Sequence, residues 1–166
     1  MRPVAILSDS ALIRPLLSGL PLRFHFQVEL WQDRFPFDDL ADRASWSLIL
    51  LHEPLSGEYN LTRSWDPEHS EWFGTLEAAT RALERWYVVP IDAPRTDARY
   101  YYDARLEVEI LSLGDLAELE HWLRGEVVDD DDVGTAVGRG LKRLFIRLIG
   151  LSARKYSART ELFRPE

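Results

Sequence analysis

The chain has 166 residues, 46% of them hydrophobic and 29% charged, no cysteine, and a net charge of −8. That length fits one domain with a core of its own, and the missing cysteines exclude disulfides, thiolate zinc sites and cysteine nucleophiles together. An acidic body also repels phosphates over a screening length of about 8 Å, which sets it against nucleic acid.

No run of about 18 apolar residues is available to span a bilayer. The opening MRPVAILSDS turns polar too soon to read as a signal peptide. The chain therefore reads as soluble or membrane-peripheral.

In chain order, Asp9 or Ser10 can cap a short helix over Ala11–Leu17, which Pro15 limits to a turn or two and Gly19 closes. Leu20–Trp31 is the clearest strand. Leu22, Phe24, Phe26, Val28 and Leu30 alternate with Arg23, His25, Gln27, Glu29 and Trp31, so a period of two puts the apolar set on one face. The run Trp46–Leu51 reads as a central strand covered on both faces. PLSGEY supplies a hairpin turn at Gly57, and Glu58–Trp65 returns as the next strand, followed by a polar loop over Asp66–Ser70.

Thr75–Trp86 is predicted as a helix, capped by Thr75 and striped by Leu76, Ala79, Leu83 and Trp86. Tyr87–Ile91 reads as a short strand. After a turn at Pro94–Asp97, Arg99–Leu111 is a long strand with Tyr100, Tyr102, Ala104, Leu106, Val108 and Ile110 on one face. Ser112–Arg124 is a second helix, with Asp115 and Glu118 in its first turn and Gly125 as its stop.

The charge then reverses. Residues 1–135 carry −14 and residues 136–166 carry +6, with Asp129–Asp132 at the end of the acidic part. On a helical wheel over Arg139–Leu151, Arg139, Lys142, Arg143 and Arg147 fall within an arc of about 140°. Leu141, Leu144, Phe145, Leu148, Ile149 and Leu151 fill about 160° opposite. Three seats are open to such a helix: the protein's own sheet, a membrane surface, or another protein.

Groups that would carry a reaction do not assemble in the sequence. His25, His52, His69 and His121 show no metal-ligand spacing. Asp129–Asp132 lacks the spaced ligands, central glycine and terminal glutamate of a calcium loop. GTAVGRG follows no strand and so fails the context of a dinucleotide fingerprint. No metal, cofactor or catalytic residue is assigned. The six tryptophans fall about one per element, and Trp31 and Trp65, at strand ends, are candidates for exposure.

Several segments in order, LLSGLPLRFHFQVELW, LHEPLSGEYNL, TLEAATRALERW with YVVPI, and RYYYDARLEVEILS, continuing into GLKRLFIRLIGL, resemble the bacterial domain-of-unknown-function family numbered 4390. Glu53 stands where that family's hairpin more often has Asp. The resemblance implies a β-rich fold and association with the bacterial envelope. It supplies no activity and no catalytic residues to carry over.

The expected architecture is α+β: a mainly antiparallel, small sandwich-like β-sheet with two or three helices and a C-terminal amphipathic helix. It divides into a β-rich body (1–125), an acidic linker (126–135), and a basic helix and tail (136–166). The expected role is a non-enzymatic, membrane-extrinsic interaction subunit that stabilises or scaffolds a bacterial membrane protein complex, a respiratory or photosynthetic assembly being a natural host. Arg139, Lys142, Arg143, Arg147, Arg154 and Lys155 would meet anionic groups of the complex or of the membrane surface, and Leu141, Leu144, Phe145 and Leu148 would form the apolar seat. The competing expectation is a soluble ligand-binding domain or enzyme with a cleft between sheet and helices, lined by Tyr100–Tyr102. A third is a lone soluble domain without membrane contact.

Overall fold

The computed structural model describes residue 3, residues 6–111 and residues 154–165. The predicted helix over Ser112–Arg124, the acidic linker and the amphipathic helix over Arg139–Leu151 lie outside the described residues. What is described is an α+β unit built on one six-stranded antiparallel sheet.

Its strands are β1 (Leu22–Gln32), β2 (Asp39–Glu53), β3 (Glu58–Arg63), β4 (Asp66–Phe73), β5 (Tyr100–Ile110) and β6 (Arg154–Arg159), in the order β4-β3-β2-β1-β5-β6. β1 is central. Its partner Cα positions run from Leu50 and Ile110, beside Leu22, to Asp39 and Tyr100, beside Gln32.

The alternation in β1 sets which face is buried. Leu22, Phe24, Phe26 and Leu30 are fully enclosed. In the same rows lie Leu48 and Leu50 of β2, Leu61 of β3, and Leu106 and Val108 of β5. The cover comes from helices. Helix α1 (Ser10–Leu17) begins where Asp9 accepts a hydrogen bond from the Ala11 N–H at 2.8 Å, and it buries Leu12 and Leu16. It ends at Gly19, whose φ of +87° is open to glycine at little cost. Helix α2 (Leu76–Leu83) starts where Thr75 Oγ1 accepts from the Ala78 N–H, and it buries Ala79 and Leu83.

The structure corrects several expectations. The described residues form one open sheet, not a sandwich, because two amphipathic helices supply the apolar surface that a second sheet would have supplied. The central strand expected to be covered on both faces buries only Trp46, Leu48 and Leu50; Ser47, Ile49 and Leu51 are half-buried. That strand also starts earlier, at Asp39, because pairing with β1 holds its polar first half. Asp66–Ser70 is not a loop: it opens β4, an edge strand that pairs with β3 and needs no apolar face. Tyr87–Ile91 makes no strand; Tyr87 inserts into the core while Trp86, outside the helical stripe predicted for it, and Val88 face water.

Residues 154–159, expected to lie in a basic tail, form β6 along β5. The sheet contact continues to Phe163, which bridges Tyr100 through two backbone hydrogen bonds.

Candidate functional site

The second face of the sheet is a lattice of opposite charges. Across one row lie Arg43, Glu29, Asp103 and Arg159, from β2, β1, β5 and β6. Glu29 is 3% exposed although it points away from the core. Its carboxylate accepts from Gln27 Nε2 at 2.7 Å and Trp31 Nε1 at 3.0 Å, and pairs with Arg43 at 2.7 Å. Asp103 pairs with Arg159 at 2.9 Å and Arg105 at 3.2 Å, and the Arg159 guanidinium sits 4.6 Å from the centre of the Tyr101 ring. Buried carboxylates persist only when answered in this way.

Two rows along the same face, beyond Ser45, Gln27, Arg105 and Ser157, lie Ser47, His25, Glu107 and Lys155. His25 Nδ1 lies 3.0 Å from Ser47 Oγ, and Lys155 holds Glu107 at 2.8 Å. The order serine, histidine, carboxylate invites a nucleophilic reading. Ser47, however, is sewn into the sheet: its N–H donates to Ser64 Oγ and its carbonyl accepts the Ser64 N–H. Its backbone N–H is thereby spent, where an acyl transfer would need one for the oxyanion.

Burial, reinforced by Arg23, holds the His25 imidazole below its ordinary 6.5. The folded state thus binds this proton less readily than the unfolded chain does. The stabilisation is complete above about pH 6.5 and is lost as pH falls through that value toward the lower folded pKa. Unfolding by urea from about pH 5 to pH 7.5 is expected to show the midpoint rising over this window, and His25→Gln to remove that part of the rise. An unchanged slope in His25→Gln would show that another group sets it.

The other groups named from sequence are placed as follows. His52 Nδ1 lies 3.2 Å from the Leu17 carbonyl and its ring packs on Tyr59; His69 pairs with Asp66 at the surface. Among the described residues no three metal-ligating side chains converge. Tyr100 is fully buried and Tyr102 stacks on Phe163 at 5.2 Å, while the Tyr101 hydroxyl donates to Asp38 at 2.9 Å. The three tyrosines are thus occupied in packing and hydrogen bonding within the body. Trp65, Trp72 and Trp86 are exposed, and Trp46 is buried.

Arg139, Leu141, Lys142, Arg143, Leu144, Phe145, Arg147 and Leu148 lie outside the described residues. Arg154 and Lys155 sit on β6, with Arg154 Nε 3.0 Å from Asp9 and Lys155 Nζ on Glu107. Leu111, whose N–H bonds the Pro21 carbonyl, and Arg154, the partner of Val108, are the described residues on either side of positions 112–153. Both lie at one end of the sheet, Leu111 just past the end of β5 and Arg154 on β6.

These features define a single-sheet α+β domain with helices on its apolar face and a largely self-neutralised polar face. The chain belongs to the family described as Domain of unknown function (DUF4390), whose model matches residues 4–120. No curated protein and no solved structure matches the chain.

Proposed function

We propose that this protein is a non-enzymatic, membrane-extrinsic interaction subunit that scaffolds a larger bacterial membrane protein complex and docks through the basic stretch running from Arg139 to Lys155. The observation that supports this reading is the position of its described flanks: Leu111, just past β5, and Arg154, on the neighbouring β6, are both held by backbone bonds to the body at one end of the sheet. A contact element tethered at both ends has less freedom to lose on docking than a free tail. Lys142, Arg143 and Arg147 would each gain about 1 kcal/mol beside anionic headgroups, with Leu141, Leu144, Phe145 and Leu148 seated below them. The −14 of residues 1–135 would then turn the body away from the same surface.

Cutting the chain after Asp132 would also remove β6, so charge reversal is the better test. In the full chain, Lys142→Glu, Arg143→Glu and Arg147→Glu combined are expected to lower co-sedimentation with vesicles of phosphatidylglycerol and phosphatidylethanolamine by at least about tenfold. Circular dichroism should show the fold intact. Arg154→Ala and Lys155→Ala should lower binding less, because Asp9 and Glu107 already hold those cations. Full retention by the triple variant would defeat the membrane reading.

A further inference from the structure

The turn between β1 and β2 exposes two phenylalanines, Phe35 at 99% and Phe37 at 80%. The turn is tied down. Asp38 accepts the Arg34 N–H at 3.2 Å and the Tyr101 hydroxyl at 2.9 Å, and the Asp33 N–H donates to the Arg99 carbonyl. Each phenylalanine left in water forgoes the stabilisation that burying its apolar surface would bring. Two large apolar side chains presented on a braced tip have the form of a preorganised anchor.

The charge around the tip narrows what could receive it. Arg34, Arg95 and Arg99 are each answered by an aspartate: Asp39, Asp97 and Asp33. Asp38, Asp42 and Asp92 have no ion pair among the described residues, and the Asp92 N–H donates to Asp42 at 2.8 Å. Glu161 and Arg164, beside the Phe163–Tyr100 bridge, offset each other, and Arg159 acts on Asp38 from its pair with Asp103, so the unanswered charge at this end of the sheet is on balance acidic, which repels an anionic bilayer and favours a cationic surface. A second argument rests on the membrane reading above. β1 carries the chain from Leu22, beside the anchors at Leu111 and Arg154, to Gln32, beside the tip. Eleven residues of strand at about 3.3 Å each put the tip roughly 35 Å from the end that would meet the membrane.

We infer that the Phe35–Phe37 tip inserts into an apolar pocket with a basic rim on a protein other than this chain. The test uses the full chain with benzoylphenylalanine in place of Phe35 or Phe37, irradiated in the cells that produce it. The expected product is one adduct with a second protein, whose crosslinked peptide maps beside lysines or arginines on an apolar surface. With the probe at position 35, Phe37→Ser or Asp92→Lys should each lower the yield about fivefold, the effect of roughly 1 kcal/mol. Both changes lie at exposed or turn positions and should leave the thermal midpoint in place.

An adduct with a second copy, an adduct with lipid, no adduct from either position, or a protein adduct indifferent to Phe37→Ser and Asp92→Lys would overturn the inference. Reversal of Lys142, Arg143 and Arg147 should leave the crosslink intact while releasing the protein from vesicles. Failure of the basic contact and failure of the tip contact are thus separately visible.

Discussion

Phe26→Ala is expected to destabilise the protein by about 3–5 kcal/mol. Phe26 is fully buried at the middle of the central strand, flanked in its row by Trp46 on β2 and Leu106 on β5. Its ring stacks on Trp46 at 5.2 Å with 8° between the planes, and meets Tyr87 at 5.7 Å. Truncation removes the common neighbour of those two rings. The void cannot close readily, because Trp46 and Leu106 are held by strand pairing on either side, and a core relaxes only partly around such a loss. Tyr87 lies in no strand and depends on this seat and on the bond from its hydroxyl to the Leu83 carbonyl. A domain of this size has about 5–15 kcal/mol in all, so the variant would sit near the edge of folding. Urea unfolding followed by tryptophan fluorescence measures the loss; a value below about 1 kcal/mol would show that the aromatic cluster is not the centre of the core. Phe35→Ala, at an exposed position, is expected to change stability by no more than about 0.5 kcal/mol.

The parts of the fold legible in sequence are those whose burial has a short period. β1 alternates apolar and polar residues from Leu22 to Leu30 and β5 from Tyr102 to Ile110, and both helices open with a capping side chain. Alternation says that one face of a strand is buried without saying what covers it, which is why a sandwich was a natural expectation and helices proved to be the cover. The edge strands were illegible for the complementary reason. In β6 every side chain is exposed, so RKYSAR carries no apolar signal. What holds β6 is backbone pairing with β5 and the pairs Lys155–Glu107 and Arg159–Asp103. That match of charges shows only once a register joins residues some fifty positions apart.

The candidate contact groups divide along the same line. The segregated faces of Arg139–Leu151 follow from the sequence alone, but not the fact that Leu111 and Arg154, on either side of it, are held at one end of the sheet. Arg154 and Lys155 looked like free cations until β6 set them beside Asp9 and Glu107. Nothing in the residue pattern singles out the phenylalanine tip, because exposure at a loop depends on what fails to pack over it. The tie that braces it, Tyr101 to Asp38, spans 63 positions.

Arg23→Met is expected to cost about 3–5 kcal/mol near neutral pH, and Arg23→Met with Glu109→Leu far less. Arg23 and Glu109 are neighbours on β1 and β5, 2.7 Å apart and 5% and 6% exposed, on the face that carries no apolar core. Burial pushes the Glu109 carboxyl above its ordinary 4.5, and Arg23 is the chief group pulling it back. A carboxyl raised in the folded state favours folding below its unfolded pKa, and that advantage disappears as pH rises through the folded value. Whenever Glu109 is ionised it therefore depends on its cation. Taking away Arg23 leaves the carboxylate buried without it, whereas taking away both groups removes the desolvation cost along with the attraction. The deficit of Arg23→Met relative to the parent should shrink toward about pH 4.5, where Glu109 can take up a proton, and Lys155 and Glu107 nearby shift the midpoint without changing that sign. Urea midpoints of parent, single and double variants at about pH 4.5 and pH 7.5 decide the matter. A deficit equal at both pH values, with no recovery in the double variant, would mean that Arg23 acts through its aliphatic packing and not as the counterion of Glu109.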